Sequence, residues 1–446
     1  MRATASPPIG QTLTAPKFSP FDAAAIIVVL AAVLSTINAR FVRLPQTIGL
    51  TIMGAILSAL IIVTGRLFPS LGLIHMTRGF VDGLDFRTTL LDGMLSFLLF
   101  AGAFQINLRD MREGHWTILI LSILGTVLST IITGFGLKLL LVFSGPDVPL
   151  IWCLVFGAII SPTDPVAVIA ILRKAVLPEA IQATIAAESL FNDGVGVVLF
   201  SILFAAANGE GGLSISHAAG LFAIQAGGGV AFGIVTGATA FYALSGIDDY
   251  AVELLITLAA VMGGYAVAQA AGVSGPVAMA VAGLIMGNHG RHYALSDISR
   301  DYVVKFWELI DEILNAVLFL LIGLEAISVW NESRTMLIAA ATIPIVLAAR
   351  LISVAVPLAL LRPFQSIGKG ALPLLWWGGL RGGISIALAL SIPSGPYREL
   401  ILASTYAAVF FSVLVQGATI GRLAARYRVE ADPTPQIPAQ KSYPRS

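Results

Sequence analysis

Long apolar stretches alternate with short polar connections along most of the chain. Each stretch holds about 20 consecutive residues with few charges, which is the length that an α-helix needs to cross a bilayer. The Gly-rich run "GVSGPVAMAVAGLIMGN" at residues 272–288 is also compatible with a re-entrant or tilted segment. An all-α polytopic membrane protein is therefore predicted, with about thirteen transmembrane helices near residues 21–38, 45–64, 88–107, 115–143, 149–172, 177–207, 216–245, 251–271, 274–290, 302–328, 335–361, 368–392 and 398–423.

Composition agrees with a location inside a bilayer for most of the chain. Of the 446 residues, 57% are hydrophobic and 11% are charged, and the mean hydropathy of +0.90 exceeds what a soluble core needs. The formal net charge of +1 gives no electrostatic reason to expect a nucleic-acid partner. The single cysteine, Cys153, lies in an apolar run, where we expect a small core residue and no internal disulfide.

Lys and Arg residues are unevenly distributed between the predicted loops. Loops on the side of the C-terminus carry more of them, among them Arg109 and Arg112, than loops on the other side. Because cytoplasmic loops are enriched in positive charge, we expect a cytoplasmic C-terminus and a location in the plasma or inner membrane. The Pro-rich residues 1–20 and 429–446 predict disordered tails around a transmembrane domain at 21–428.

Two carboxylates occur in the middle of one apolar stretch, "ESLFNDGVGVVLF", residues 188–200. On a helix, Ser189 and Asp193 lie four residues apart on one face, and Glu188 and Asn192 lie four residues apart on the adjoining face. An ionisable group at membrane depth is costly, and its usual role is in the path of a substrate, an ion or a proton. This segment is therefore the first candidate site.

A second segment, "GAIISPTDPVAV" at residues 157–168, should break the helix that contains it. Its two prolines lack an N–H, so carbonyls one turn earlier, including that of Ser161, lose their helical partners. We expect Ser161 and Asp164, each of which precedes a proline, to leave the α region. Unwound backbone at membrane depth lines wet cavities, and its free carbonyls suit a hard monovalent cation.

A third segment, "WWGGLRGGISIAL" at residues 376–388, places four glycines around Arg381. A buried guanidinium must be matched by a carboxylate or by carbonyl groups. Arg350 also needs a carboxylate or carbonyl partner from elsewhere in the chain, because it lies in an apolar run with no acidic neighbour. The two breaks occupy the second of three helices at 115–207 and at 335–423, which are the matching places that an inverted repeat would require.

Three carboxylates and two arginines are thus expected inside the membrane. If Arg350 and Arg381 keep two of the carboxylates ionised, the third is free to exchange ligands. A desolvated carboxylate without a fixed cation can bind either a proton or a small cation, and the two compete for it. Such a residue has the properties of a carrier site.

Five segments resemble signature segments of the monovalent cation/proton antiporters, in the NhaP- and NHE-like branch marked by Asn-Asp. In chain order they read "SPTDPVAV", "ESLFNDGVGVVLF", "GPVAMAVAGLIMGN", "FWELIDEILNAVLFLLIGLE" and "WWGGLRGGISIAL", within a resemblance from about residue 43 to about 424. It implies a sodium/proton antiporter, which is not an enzyme and needs no cofactor. The fold implied is the NhaA/NhaP-like one, with two inverted six-helix repeats and two crossed unwound helices. One departure is in the third helix, where Asp92 and Gly93 stand in place of prolines common in relatives.

The resemblance further implies a homodimer that works as an elevator. A mobile six-helix core would comprise about 115–207 and 335–423, and a fixed interface domain about 21–107 and 251–328. The substrates implied are H+ and Na+, with Li+ also accepted. K+/H+ exchange by the same fold is the alternative, because selectivity among these ions depends on cavity size rather than on ligand type.

Individual roles also follow from the resemblance. Asp193 corresponds to the shared cation and proton site. Its companion ligands correspond to Ser189, Glu188 and Thr163, the last through both its carbonyl and its side chain, while Asn192 orients the site.

Charge compensation in the resembling family pairs Arg350 with Glu188 and Arg381 with Asp164. Only Asp193 would then alternate between a proton and a cation, which predicts electroneutral exchange of one cation for one proton.

Two other classes of membrane protein are alternatives. An intramembrane hydrolase also uses buried carboxylates and broken helices, but it would not need two buried arginines matched to carboxylates. A passive cation channel would place Asp193 in a continuous pore and would not couple cation flux to a proton gradient.

A further acidic group, Glu308, Asp311 and Glu312, is not expected to bind the cation. We place it at the start of a helix on the cytoplasmic side, where acidic residues suit the N-terminal dipole.

Overall fold

The computed structural model describes residues 20–69, 93–111, 114–144, 146–164, 168–169, 179–209, 214–290, 297–329, 333–363 and 370–427. Residues 1–19 of the predicted N-terminal tail lie outside these ranges, as do Asp92 and the predicted C-terminal tail at 429–446.

Eighteen α-helices form within the described residues, and five π-helical turns extend or join them. The α-helices are α1 Pro20–Ile37, α2 Gln46–Leu67, α3 Leu95–Gln105, α4 Leu108–Met111, α5 His115–Ile120, α6 Thr126–Ser144, α7 Leu150–Ile160, α8 Glu179–Ala207, α9 Ile215–Phe222, α10 Gly228–Leu244, α11 Tyr250–Ala270, α12 Gly275–Ile285, α13 Asp297–Val329, α14 Ser333–Leu361, α15 Ala371–Trp377, α16 Gly383–Leu390, α17 Arg398–Phe411 and α18 Gly417–Ala425. The π-helical turns are Asn38–Val42, Leu121–Gly125, Ala223–Gly227, Met286–Gly290 and Ser412–Gln416. This part of the chain contains no β-strand.

Eight helical segments of the described chain are long and apolar enough to cross a membrane. They are Phe21–Val42, Gln46–Leu67, His115–Ser144, Ile181–Ala207, Ser216–Leu244, Tyr250–Ala270, Arg334–Leu361 and Arg398–Ala425. Three shorter apolar helices accompany them at Leu95–Gln105, Leu150–Ile160 and Gly275–Asn288. Each of the predicted spans overlaps at least one helix, so the predicted all-α membrane architecture is confirmed, while the count of thirteen spans stays a prediction.

Proline and glycine end the helices at the two predicted breaks. Helix α7 ends at Ile160, two residues before Pro162, whose ring nitrogen cannot donate to the preceding turn. At the second break, α15 ends at Trp377 and α16 begins at Gly383. Residues 161–163 and 378–382 of the unwound segments are buried and Asp164 is half-buried, so neighbouring helices enclose the described part of both breaks.

The helices pack in two groups. In the first group, α2 packs along α13, and α12 packs against α3, α10 and α11. In the second group, α7 packs on α6 and α8, while α14 packs on α6 and α17. Close approach of α2 and α13 depends on Gly54, where a Cβ would lie 2.9 Å from the carbonyl oxygen of Leu320. The groups meet where α8 and α16 face α3, α12 and α13.

Candidate ion-binding site

The two broken helices are hydrogen-bonded to each other through their unwound residues. The backbone N–H of Asp164 donates to the carbonyl of Leu380 at 2.7 Å. Nη1 of Arg381 donates to the carbonyl oxygens of Ser161 and, at 3.0 Å, of Pro162. Arg381 therefore donates to carbonyls that the first break leaves without helical partners. Carbonyl groups are one of the two kinds of partner expected for a buried guanidinium, the other being a carboxylate.

Ser161 keeps helical dihedral angles, and the prediction that it leaves the α region is wrong. Its φ of −71° and ψ of −37° lie in the right-handed α region. Its Oγ donates to the carbonyl of Gly157 at 2.7 Å and forms a second hydrogen bond with Oγ1 of Thr130 at 3.0 Å. A following proline disfavours the α conformation without forbidding it, and these two hydrogen bonds hold Ser161 at the end of α7.

A buried, bidentate ion pair joins Glu188 of α8 to Arg350 of α14. Nη1 of Arg350 lies 2.9 Å from Oε1 of Glu188, and Nη2 lies 3.0 Å from Oε2. Nη2 also donates to the carbonyl of Leu375 at 3.1 Å. Glu188 is only 1% exposed, so its charge is balanced by Arg350 rather than by solvent. This is the pairing that the family resemblance implies.

Asp164 lies beside the second break. Its carboxylate packs directly against Gly382, at a position where any Cβ would collide with it. The absence of a side chain at Gly382 therefore allows the carboxylate to approach the N-terminal end of α16. The pairing of Asp164 with Arg381 stays a prediction.

A hydrogen-bond network connects the first break to α8. The side-chain oxygen Oδ1 of Asn192 accepts from the backbone N–H of Thr163 at 3.1 Å. Nδ2 of Asn192 donates to Oγ1 of Thr163 at 2.7 Å and to Oε1 of Glu188 at 2.9 Å. Thr163 Oγ1 is also 3.0 Å from Oγ of Ser189. Asn192 therefore uses both ends of its amide to fix Thr163 relative to Glu188.

Asp193 differs from Glu188 in its surroundings, although the two side chains share a helix. Asp193 is 5% exposed, and no described residue forms a hydrogen bond with its carboxylate. The charges of Asp164, Glu188 and Arg381 are close enough to act on it. Asp193 also lines a cavity of about 540 Å³, together with Thr163 and Asp164. Its carboxylate is therefore accessible to a ligand while Glu188 is held by Arg350.

Polar and acidic residues form nearly half of the lining of this cavity. Its polar lining residues are Gln105, Asn107, Thr163, Asp164, Gln182, Asp193, Glu308, Asp311, Glu312, Asn315 and Ser385. The described lining includes no Lys or Arg, so the potential inside favours a cation.

The acidic group on α13 belongs to this cavity and does not begin a helix. Helix α13 starts at Asp297, so Glu308, Asp311 and Glu312 lie in its interior, and the prediction that they begin a helix is wrong. The helix begins about five residues before the predicted span at 302–328, which places the acidic group about three turns inside it. Asp311 accepts hydrogen bonds from Nδ2 of Asn315 at 2.9 Å and from Nε2 of Gln105 at 3.4 Å.

Several hydroxyl groups support the site without having been singled out from the sequence. Ser412 Oγ accepts from the backbone N–H of Arg381 at 2.7 Å, and Ser122 Oγ donates to the carbonyl of Glu188 at 3.2 Å. A single serine in an apolar helix is common and gives no sequence signal, because its hydroxyl can bond to its own helix. Only the packing of α8 and the second break against neighbouring helices identifies these residues.

Comparison with known proteins identifies relatives along most of the chain. Residues 27–426 match the family model described as "Sodium/hydrogen exchanger, transmembrane". The Na(+)/H(+) antiporter NhaP of Pseudomonas aeruginosa is 44% identical over 409 residues, which cover 91% of this chain and 96% of that protein. The Na(+)/H(+) antiporter ApNhaP of Aphanothece halophytica is 33% identical over 394 residues, covering 87% of this chain and 71% of the relative.

Among solved structures, the sodium proton antiporter MjNhaP1 from Methanocaldococcus jannaschii superposes with a TM-score of 0.70. The match covers 91% of this chain and 98% of MjNhaP1 at 19% sequence identity, and it therefore concerns the fold alone. Because the family model matches most of this chain, the chain belongs to the sodium/hydrogen exchanger family, whose members are membrane transporters and not enzymes.

Proposed function

We propose that this protein exchanges Na+, and also Li+, for H+ across the plasma or inner membrane, with Asp193 as the shared binding site. The observation that carries the proposal is the contrast between two carboxylates on α8. Glu188 is bound by Arg350 through both oxygens, whereas Asp193 lines the cavity without a hydrogen bond from any described residue. A carboxylate in this position can take up a proton or a monovalent cation in turn.

The charges around the site support a stoichiometry of one cation for one proton. Asp164, Glu188 and Asp193 carry three negative charges when ionised, and Arg350 and Arg381 carry two positive charges. The empty site therefore has one negative charge in excess. Either one proton or one monovalent cation neutralises it, so the loaded site has the same charge in both halves of the cycle.

The proposed cation ligands differ in how free they are. Asp193 has both oxygens available, and Thr163 and Ser189 offer hydroxyl oxygens that already contact each other at 3.0 Å. In Glu188, Oε1 accepts from Arg350 and Asn192, which leaves a spare lone pair on Oε2 only. Glu188 is therefore the weakest of the four ligands and acts mainly through its charge. Asn192 positions Thr163 and Glu188 rather than binding the ion.

An elevator mechanism is consistent with how the cavity is built. Its lining combines Asp164 and Asp193 from the second helix group with Asp311 and Asn315 from α13 of the first group. All proposed cation ligands belong to the second group, which corresponds to the mobile core at about 115–207 and 335–423. A movement of this core past the interface domain, at about 21–107 and 251–328, would carry the complete site across the membrane. We place the contact between two copies of the chain on the interface domain, which makes the functional unit a homodimer.

Exchange in proteoliposomes tests the proposal. Vesicles that contain the protein and an imposed pH gradient should release protons on addition of NaCl or LiCl, and the response to KCl decides between Na+ and K+ as substrate. Asp193→Asn should abolish the response to every cation while the protein remains folded. Asp147→Asn is the matched control, because Asp147 is an exposed carboxylate that pairs with Lys138 at 3.0 Å.

Two results would contradict the proposal. Retained exchange in Asp193→Asn would assign the carrier carboxylate to another residue. Cation flux that proceeds in the wild-type protein without any proton movement would identify a passive channel.

A further inference from the structure

Ser385 is a buried hydroxyl residue that no role described above accounts for. It lies in the first turn of α16, directly after the second break, and it is 1% exposed. Its Oγ forms no hydrogen bond with any described residue. A buried hydroxyl without a partner is costly, and a ligand from outside the protein chain would offset that cost at this position.

The position of Ser385 explains why its own helix does not satisfy it. Buried serines and threonines in helices usually donate to a carbonyl three or four residues earlier. Thr405 does so to Ile401 at 2.8 Å, and Ser391 does so to Leu388 at 2.7 Å. The residues three and four positions before Ser385 are Gly382, whose backbone is extended, and Arg381, and both precede the start of α16. The break therefore removes the usual acceptor.

Ser385 also lines the cavity that contains Asp193, Thr163 and Asp164. Other buried Ser and Thr hydroxyls without a partner occur in the described residues, but their side chains do not line this cavity. They are Thr47, Ser129, Thr133 and Ser404. Ser385 alone among these hydroxyl residues combines burial, a free oxygen and access to the site.

We propose that Oγ of Ser385 is a further ligand of the transported cation. The inference rests on the proposed exchange function and adds a ligand to the same site. A hydroxyl oxygen suits a hard monovalent cation, and being neutral it leaves the charge balance of the site unchanged. With this ligand, each of the two broken helices contributes an oxygen next to its break: Thr163 from the first and Ser385 from the second.

Na+-dependent exchange in proteoliposomes, measured over a range of NaCl concentrations, tests this role. Ser385→Ala should raise the KM for Na+ by about five- to tenfold, with turnover at saturating Na+ near the wild-type value, since a lost ligand weakens binding of the ion. Ser385→Thr, which keeps the hydroxyl, should restore most of the affinity. Ser404→Ala removes an equally buried and unpartnered hydroxyl away from the cavity, and it should leave the KM unchanged.

A cysteine variant separates ligation from packing. Ser385→Cys fills the same space with a soft sulfur, so its KM for Na+ should rise as in Ser385→Ala, while the KM for Tl+, a soft cation, should rise less. Wild-type affinity for Na+ in Ser385→Ala or Ser385→Cys would overturn the proposal. So would an equal loss of affinity in Ser404→Ala. Each of these outcomes is compatible with cation/proton exchange by the wild-type protein. Failure of the wild-type protein to exchange any cation for protons would instead refute the proposed function itself.

Discussion

Removing one partner of the Glu188–Arg350 pair should destabilise the protein strongly, and removing both should destabilise it much less. Arg350→Met leaves a buried carboxylate without its cation, and Glu188→Gln leaves a buried guanidinium without its anion. Loss of one member of a buried ion pair costs about 3–5 kcal/mol, because the remaining charge is neither paired nor hydrated. The double variant contains neither charge, so its loss of stability should be smaller than the sum by at least about 2 kcal/mol.

Neighbouring contacts place the single variants near the lower end of that range. Without Arg350, Glu188 still accepts a hydrogen bond from Asn192 at 2.9 Å. Without the carboxylate of Glu188, Arg350 still donates to the carbonyl of Leu375 at 3.1 Å. Each orphaned charge keeps one partner, so we expect about 3 kcal/mol for each single substitution rather than 5.

Unfolding in detergent, followed by tryptophan fluorescence at a fixed Na+ concentration, measures these differences, because bound cation would itself change the apparent stability. Arg334→Met is the matched control on the same helix. Arg334 is exposed, and among the described residues its side chain donates only to the carbonyl of Ser144, so its loss should leave the unfolding midpoint unchanged. Additive effects of Arg350→Met and Glu188→Gln in the double variant would refute the pairing as a source of stability.

Three further outcomes follow from the proposed mechanism. When potassium and valinomycin clamp the membrane voltage at different values, the final pH gradient formed by Na+ or Li+ should be the same at each voltage. A net charge moved in each cycle would contribute about 2.3 kcal/mol per 100 mV. A pH gradient that shifts with voltage would mean that a second carboxylate titrates. Asn192→Asp places a carboxylate beside Glu188 and should make the pH gradient voltage-dependent, and continued voltage independence would show that this position does not take up a proton. Reporter fusions at residues 210 and 365 should report opposite sides of the membrane, and the same side for both would overturn the number of spans between them.

Charged residues made much of the site predictable from the sequence. A carboxylate or guanidinium inside an apolar stretch is expensive, so Asp164, Glu188, Asp193, Arg350 and Arg381 stand out without any structural information. Prolines and glycines marked the two breaks for a similar reason, since few other residues interrupt a membrane helix. The crossing of the breaks then follows from the need of their free carbonyls for donors, which Arg381 meets in the structure.

The rest of the site was not predictable because its components are individually inexpensive. Ser122, Ser385 and Ser412 are ordinary residues for an apolar helix, and only their three-dimensional neighbours give them a role. The conformation of Ser161 depended on hydrogen bonds to Gly157 and Thr130, which outweigh the local preference set by the following proline.

The start of α13 was misjudged for a different reason. The predicted span began near 302, and the acidic group was assigned to a helix start because acidic residues suit an N-terminal dipole, whereas the helix begins at Asp297. Glu308, Asp311 and Glu312 therefore line the cavity from within a helix and not from its N-terminal end.

The charge balance of the site also offers a physical basis for coupling in the proposed mechanism. An empty core would carry one uncompensated negative charge on Asp193 through the membrane, and an unpaired buried charge costs several kcal/mol. A proton or a monovalent cation removes that cost, so the core moves readily only when one of them is bound. After releasing one ion, the core therefore returns only with the other ion bound, because the return of the empty, charged core is unfavourable. The Glu188–Arg350 pair is essential to this coupling, because it neutralises Glu188; if Arg381 balances Asp164 in the same way, the charge of the binding site depends on Asp193 alone.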